Sequence, residues 1–362
     1  MDIHSQRLLN LANKRFSEIL TDGFKLFVKT YGTIILPLAI FQIILIILDI
    51  FLLTDLRLYL NTVEITYTEI MNKFLEGITL TANEWNFLSF FLLMSYFLLF
   101  LQNLLGAIII TIAMCSVSTY VFKMYMREEI SFIESFKSSF NKKMLIVILI
   151  IGICLPLSSL LLFIPAIIIF GFFIFLVFTY NMEVKKNPIS EARAIAKGGF
   201  WKIIGIFVIN VILIAFIGFF FNIMLGIILN TGSANFLANF NNWYDPITRN
   251  YGMIILYEIL VNFIDIVFAP LFICLLTVLF SSLKARRDLN YLYQQGSYPV
   301  RQIYKEEYPL QQESHEHIRS HESLSKVQIE GRFYCPFCGT LIKSGLKEFC
   351  PKCGENLSFI SK

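Results

Sequence analysis

Residues 144–182 read MLIVILIIGICLPLSSLLLFIPAIIIFGFFIFLVFTYNM and contain no Asp, Glu, Lys or Arg. Crossing a hydrocarbon core of about 30 Å takes roughly 20 apolar residues, so this uncharged run is long enough for two crossings. Pro165 interrupts it, and a proline within a helix removes a backbone hydrogen bond and clashes with the preceding turn. The stretch therefore predicts a hairpin of two membrane-spanning helices.

Apolar runs outside this hairpin predict four more spans. They lie at about 31–53, 87–122, 203–229 and 246–283. The run at 87–122 is too long for a simple crossing, so we expect its helix to project beyond the membrane. Thr81 and Glu84 form a capping-box pattern at its start, and Asp245 followed by Pro246 is expected to start the last span.

The composition agrees with a membrane protein. Hydrophobic residues make up 56% of the chain and charged residues only 15%, with a mean hydropathy of +0.67. A soluble domain carries nearer a quarter charged residues. We predict an all-α polytopic membrane protein with six transmembrane helices and cytoplasmic interfacial helices, followed by a small four-cysteine zinc ribbon.

The distribution of Lys and Arg sets the expected orientation. Five basic residues lie in each of the segments 1–30, 123–143 and 183–202, and twelve more follow residue 283. The other connecting segments hold only Arg57, Lys73 and Arg249. The positive-inside rule then predicts a multi-pass protein of the cell membrane whose N- and C-termini are both cytoplasmic.

The three basic segments that precede a span share a loose pattern. They read FSEILTDGFKLFVKTYGTI (16–34), ISFIESFKSSFNKKMLIVI (130–148) and ISEARAIAKGGFWKIIGIF (189–207). Each has a serine that could cap a helix and, twelve residues later, a lysine that could reach the membrane surface. These residues are Ser17 and Lys29, Ser131 and Lys143, and Ser190 and Lys202. The pattern predicts three short amphipathic helices at the inner interface, or basic re-entry segments of no special function.

A family resemblance rests on the stretch FIPAIIIFGFFIFLVFTYNMEVKKNPISEARAIAKGGFWKIIGIFVI (163–209). Its Pro165, Glu183, Gly199 and Trp201, with small residues between them, resemble the signature of a six-helix membrane domain. That family is found fused to some glycerophosphodiester phosphodiesterases, and the resemblance covers roughly 10–285. No stretch outside the spans is long enough for the phosphodiesterase barrel. The resemblance therefore implies the membrane fold without the enzyme activity.

A metal site is predicted near the end of the sequence, in FYCPFCGTLIKSGLKEFCPKCGENL (333–357). It contains two Cys-Pro-x-Cys-Gly motifs separated by eleven residues. Two such turns can complete a tetrahedron of thiolates around Zn²⁺, and the closed set leaves no position open for catalysis. The expected ligands of this structural zinc are Cys335, Cys338, Cys350 and Cys353.

These features divide the chain into three predicted parts. They are a six-span domain at 1–290, a flexible cytosolic linker at 291–331 and a zinc ribbon at 332–358. The linker carries His315, His317 and His321, which could bind a metal ion or simply be solvated. The ribbon has only a slight basic excess, which disfavours nucleic acid as a partner.

Ionisable groups in the last span are the other candidate site. Glu258, Asn262 and Asp265 are spaced i, i+4 and i+7, which places them on one face of a continuous helix. Ionisable residues at membrane depth are rare and usually functional, so the face could line a transport or proton pathway. Gln102, Asn103 and Asn210 could face the same interior. Alternatively, Glu258 lies outside the hydrocarbon and only Asp265 approaches its edge.

The sequence carries no metalloprotease HExxH, no G-x-S-x-G elbow and no phosphate-binding loop, so an enzyme is not expected. The favoured interpretation is a non-enzymatic protein of the lipid bilayer whose cytosolic ribbon docks or stabilises a protein partner. One alternative is a small-molecule or lipid transporter with an accessory ribbon. A second is a lipid-sensing or membrane-organising protein that acts through the interfacial segments.

Overall fold

The computed structural model describes residues 3–161, 163–182, 187–232, 242–294, 332–334 and 341–343. Its described helices are α1 Ile3–Ala12, α2 Phe16–Leu75, α3 Ala82–Tyr125, α4 Phe132–Ser139, α5 Met144–Val147, α6 Leu155–Leu161, α7 Phe163–Phe173, α8 Leu176–Thr179, α9 Pro188–Lys197, α10 Phe200–Gly232, α11 Tyr251–Val261 and α12 Phe263–Gln294. A π-helical segment, Ile148–Cys154, joins α5 to α6. Two short strands, β1 Arg332–Tyr334 and β2 Leu341–Lys343, pair in antiparallel fashion. The chain divides into two compact units, one of residues 16–281 and one of residues 1–15 with 282–362.

The described residues form a largely helical protein, and the prediction of long apolar helices is confirmed. Four helices, α2, α3, α10 and α12, are long and apolar enough to cross a membrane. A fifth follows if α4 and the helix from Met144 to Leu160, which meet at 68°, count as one bent span. Two of the six predicted spans correspond in part to shorter apolar helices, Ile164–Thr179 and Tyr251–Val261.

The hairpin predicted around Pro165 is present. Helix α6 ends at Leu161, and α7 begins at Phe163, so Pro165 lies in the first turn of the second helix. A proline is tolerated there because the N–H groups of the first turn have no partner within the helix. Helix α6 and the π-helical segment both pack against α7, which places the two arms of the hairpin side by side.

Helices α2 and α3 form a second, much longer antiparallel pair. Aromatic contacts join them near the connecting turn, with ring centroids 4.2 Å apart for Tyr67 and Phe91 and 5.5 Å for Phe74 and Trp85. Thr81 caps α3, and its side chain and backbone both bond to Glu84, as the capping-box pattern predicted. At 1.5 Å per residue α2 is about 90 Å long, so both helices extend well beyond one membrane thickness.

The expected start of the last span was wrong. The side chain of Asp245 accepts a bond from the Ile247 N–H at 2.8 Å in a local turn and does not begin a helix. Helix α11 begins at Tyr251, where the side chain of Asn250 accepts from the Met253 N–H. A short polar side chain with a free carbonyl oxygen is the common requirement at this position, and Asn250 meets it closer to the helix.

The three repeat segments differ in structure. The first is no separate helix, since Ser17 and Lys29 both lie within the continuous helix α2. In the second, Ser131 occupies the position before α4, although its side chain makes no capping bond, and Lys143 precedes α5. In the third, Asn187 caps α9, Ser190 lies inside it, and Lys202 falls in the first turn of α10. The expected serine caps are therefore wrong for Ser17 and Ser190.

A network of hydrogen bonds joins α3, α4 and the chain after α8. The sequence patterns did not predict it. The buried Tyr180 hydroxyl donates to the Ser139 carbonyl at 3.0 Å and lies 3.2 Å from the Cys115 carbonyl. Asn181 donates to the Thr119 hydroxyl at 3.0 Å and accepts from Asn141 at 3.0 Å. These bonds fix the short helix α4 against α3 and satisfy polar groups that apolar surroundings would otherwise penalise.

Candidate functional site

A cleft of about 360 Å³ opens between α10 and the start of α12. Its walls are mostly apolar, and three polar side chains interrupt them: Asn210, Asn222 and Asp265. The remaining lining residues are Val211, Ile214, Ala215, Gly218, Phe219, Val261 and Ile264. A pocket with apolar walls and a few convergent polar groups has the general character of a small-molecule site, and this volume lies in the range of such sites.

Two aromatic contacts hold the walls of the cleft together. Phe221 of α10 stacks on Phe263 of α12 with ring centroids 5.5 Å apart. Nearer the start of α10, Phe207 meets Phe272 edge-on at 6.2 Å. The two helices therefore touch near both ends of the stretch of α10 that lines the cleft.

Asn210 is the buried polar group of the cleft. It is only 8% exposed, and its Oδ1 atom has no hydrogen-bond donor among the described residues. It lies about 12 Å along α10 from Lys202, within a helix that carries no other charge. A buried acceptor without a donor costs roughly 1–3 kcal/mol, so this oxygen is suited to a donor supplied by a ligand.

Asp265 supplies the charge of the cleft. It lies in the first turn of α12 and is exposed at the protein surface. Within the described part of the chain it has no ion-pair partner. Asn222, twelve residues beyond Asn210 on α10, adds an exposed amide, so polar groups extend over about 18 Å of that helix.

Gly218 widens the cleft. A Cβ atom added at this position would meet no other atom within 4 Å, because the space beside it is open. A glycine inside a helix costs roughly 0.5–1 kcal/mol relative to alanine, and no close backbone contact requires it here. The position is therefore well placed for a substitution that fills the cleft without disturbing the packing around it.

Glu258 and Asn262 do not line this cleft, which corrects the prediction of one continuous polar face through Asp265. Helix α11 ends at Val261 with Asn262 as its C-cap, and a new helix starts at Phe263. Asn262 donates to the Glu258 carbonyl at 2.8 Å, while the Tyr244 hydroxyl bonds to the Glu258 carboxylate at 3.3 Å. Asn262 therefore interrupts the helix that the prediction assumed to be continuous.

A second polar cluster lies between α2 and α3. The guanidinium of Arg57 bonds to the Asp49 carboxylate at 2.5 Å, and their side chains are 30% and 25% exposed. The Gln102 amide oxygen, oriented to satisfy both groups, accepts from the Nε atom of Arg57 at 3.1 Å and also from its Nη2. Arg57 also interacts electrostatically with Tyr244, which links this cluster to Glu258. Every strong charge in the cluster has a partner, so it is suited to holding the helices together.

The predicted zinc ligands Cys335, Cys338, Cys350 and Cys353 lie outside the described residues, as do His315, His317 and His321. The described strands β1 and β2 directly flank the first cysteine motif in the sequence. Their register pairs Arg332 with Lys343 and Tyr334 with Leu341. Among the described residues no group of three or more His, Cys, Asp or Glu could hold a metal ion.

No protein-family model, curated protein or solved structure matches this chain. The resemblance to the six-helix membrane domain therefore stays a prediction. The chemistry of the site rests on its own residues.

Proposed function

We propose that the chain is a multi-span membrane protein that binds a small polar or amphiphilic molecule in the cleft between α10 and α12. The observation that carries this proposal is the buried Asn210 acceptor, which no described residue satisfies, at the wall of a cleft that also holds Asp265. A six-span topology with both termini in the cytosol belongs to the same proposal. In this role the protein would be a transporter or a lipid-binding protein and not an enzyme.

The cleft suits a ligand that arrives from the membrane. Its walls include exposed apolar side chains, among them Val211 and Phe219 at 46% and 62% exposure. Residues of this kind on a spanning helix face lipid, so an apolar ligand could reach the cleft without crossing water. Asn210 and Asp265 would then orient its polar groups.

The test of this proposal is a variant, Gly218→Phe, that fills the cleft with a bulky side chain. The wild-type protein and the Gly218→Phe variant are purified in mild detergent, and bound lipids and small molecules are quantified by mass spectrometry. We expect one species enriched over the bulk membrane lipid in the wild type and reduced about tenfold or more by the phenylalanine, because its ring occupies the open space beside Gly218.

Gly226→Phe is the matched control. Gly226 lies two turns further along α10, also has open space around a Cβ, and does not line the cleft. Helix propensity changes equally in both variants, so a loss seen only with Gly218→Phe reports occupancy of the cleft. Equal retention of every species by all three proteins would refute the proposal.

We also propose that the cysteine motifs form a cytosolic zinc ribbon that docks or stabilises a protein partner at the membrane. Support comes from the antiparallel pairing of β1 and β2, which flank the Cys335-x-x-Cys338 motif. Such a module cannot bury enough apolar surface to fold without its metal.

The zinc-ribbon proposal is tested by measuring the zinc content of the purified protein and the proteins that co-purify with it. We expect about one zinc per chain in the wild type and loss of that zinc in Cys338→Ser, with the helical signal in circular dichroism unchanged. Proteins that co-purify with the wild type and not with Cys338→Ser would be the ribbon's partners. Cys154→Ser is the control, because this free cysteine lies among the helices. Zinc retention by Cys338→Ser, or an identical set of bound proteins, would contradict this second proposal.

A further inference from the structure

Two of the three polar groups of the cleft, Asn210 and Asp265, differ in what they can offer a ligand. Asn210 presents an acceptor oxygen, and Asp265 presents a carboxylate with no ion-pair partner in the described part of the chain. Among the residues that the structure describes, no Lys, Arg or His lines the cleft. The described lining therefore carries a negative charge and no positive one, which disfavours phosphate, sulfate or carboxylate groups.

We propose that the ligand is an amphiphilic amine, with a protonated amino group that meets Asp265 and an apolar body that bears a further O–H or N–H for Asn210. This inference rests on the proposed ligand binding in the cleft and adds the chemical class of the ligand. An ammonium group is the natural partner of an unpaired carboxylate, and charge-assisted bonds of this kind are stronger than neutral ones.

The apolar walls of the cleft favour a ligand whose remaining part is hydrocarbon. Ile214, Ala215 and Ile264 offer only hydrocarbon to a molecule in the cleft, so burying a hydrocarbon chain there is favourable while burying water is not. The donor for Asn210 must be carried into this apolar space by the ligand itself. The same chemistry is present in an aminolipid of the bilayer and in a free lipophilic amine.

The experiment measures the Kd of three probes with one chain length, dodecylamine, dodecan-1-ol and dodecyl phosphate. The full-length protein is placed in phosphatidylcholine nanodiscs, and binding is followed by microscale thermophoresis. We expect dodecylamine to bind most tightly and dodecyl phosphate least. Asp265→Asn should weaken dodecylamine roughly 10- to 100-fold, the range for a lost hydrogen bond to a charged group.

Two further variants separate the role of the charge from a structural effect. Asp265→Glu keeps the carboxylate and should keep the preference for dodecylamine over dodecan-1-ol. Asp245→Asn removes a carboxylate from a turn outside the cleft and should leave all three Kd values unchanged. Loss of the preference in Asp265→Glu, or an equal loss in Asp245→Asn, would overturn the assignment of Asp265.

Asn210 is tested with a probe that carries a second donor. In the wild type 12-aminododecan-1-ol should bind more tightly than dodecylamine, because its hydroxyl can donate to Asn210. Asn210→Leu should remove that difference. An unchanged difference between the two probes would refute the role of Asn210.

The source of the amine is distinguished by the lipid of the nanodisc. Phosphatidylethanolamine in place of phosphatidylcholine should raise the apparent Kd of dodecylamine by competition if the ligand is an aminolipid, and leave it unchanged if the ligand is a free amine. Equal binding of dodecylamine and dodecan-1-ol, with both lost in Gly218→Phe, would refute the amine class alone. Unchanged binding in Gly218→Phe would refute ligand binding in the cleft as well.

Discussion

Two aspartates on apolar helices of this chain have opposite surroundings. Asp49 is held by Arg57, whose guanidinium also donates to Gln102, so its charge is compensated within the helix pair. Asp265 stands at the cleft without such a cation in the described residues. An ionisable side chain without a partner on a membrane-spanning helix is costly, and a protein retains such a group mainly where function uses it. The same residue type therefore has a structural role at one position and a ligand-binding role at the other.

This difference predicts opposite effects on stability. Asp49→Asn leaves the partly buried Arg57 without its carboxylate and should lower the free energy of unfolding by about 1–3 kcal/mol. Asp265→Asn removes an uncompensated charge and should leave the stability unchanged or slightly raised. Thermal unfolding of the two variants in the same detergent makes the comparison.

The double variant Asp49→Asn with Arg57→Gln is the control for the pair. Removing both charges avoids the stranded guanidinium, so its stability should recover part of the loss caused by Asp49→Asn alone. Equal losses for Asp49→Asn and Asp265→Asn would show that the two carboxylates do not differ in this way.

The sequence predicts Asp265 and Asn210 as polar groups of apolar helices, and the structure places both at one cleft. The spacing of i, i+4 and i+7 places Asp265 on one face with Glu258 and Asn262 only if the helix is unbroken. The structure ends α11 at Val261, with Asn262 as its C-cap, and the spacing alone does not reveal that interruption. The open space at Gly218 depends on how α10 and α12 pack and was likewise not predictable.

The helix start that was predicted best is the one where two residues bond to each other, at the beginning of α3. Thr81 and Glu84 satisfy each other reciprocally, and α3 begins where that pair requires. A single serine specifies less, because a neighbouring asparagine can cap at another position. Asn187, with Pro188 as the first helical residue, starts α9 three residues before Ser190. Single-residue capping signals therefore leave the boundary of a helix open by about one turn.

The capping box predicts a local effect at the turn between α2 and α3. Thr81→Ala removes the acceptor for the Glu84 N–H, and the first turn of α3 should open more often. Amide hydrogen exchange at residues 83–85 should accelerate roughly 2- to 30-fold, the range for the loss of a helix cap. Exchange in the middle of α3 should not change.

Thr79→Ala is the matched control, since it makes the same substitution two residues before the cap. Its exchange rates at residues 83–85 should equal those of the wild type. Faster exchange with Thr79→Ala than with Thr81→Ala would contradict a local capping effect.

On the scale of the whole molecule, hydropathy predicted the long apolar helices, and four described helices, or five with the bent pair, are long and apolar enough to cross a membrane. A hydropathy window measures how many apolar residues follow one another and cannot register a bend or break between them. The predicted sixth span, 246–283, is divided at Asn262, and the predicted fourth corresponds to the shorter helix Ile164–Thr179. A shorter helix can still form part of a membrane span when a neighbouring segment crosses the remaining thickness of the bilayer.

The charge distribution makes a prediction about which parts of the chain face the cytosol. Segment 123–143 is basic and should be cytosolic, whereas the connection between α2 and α3 is poor in Lys and Arg and should face the opposite side. Thr79→Cys places a thiol in that connection, and Glu129→Cys places one in an exposed position between α3 and α4. A membrane-impermeant maleimide applied before and after permeabilisation of intact cells distinguishes the two sides.

We expect Thr79→Cys to be labelled in intact cells and Glu129→Cys only after permeabilisation. The wild-type chain is the control for the native cysteines, and its ribbon thiols should also be protected until the membrane is opened. Labelling of Glu129→Cys but not Thr79→Cys in intact cells would invert the topology and place the ribbon outside the cytosol. Protection of both variants in intact cells would instead contradict the assignment to the cell membrane, since a thiol on the outer face of that membrane has no barrier between it and the reagent.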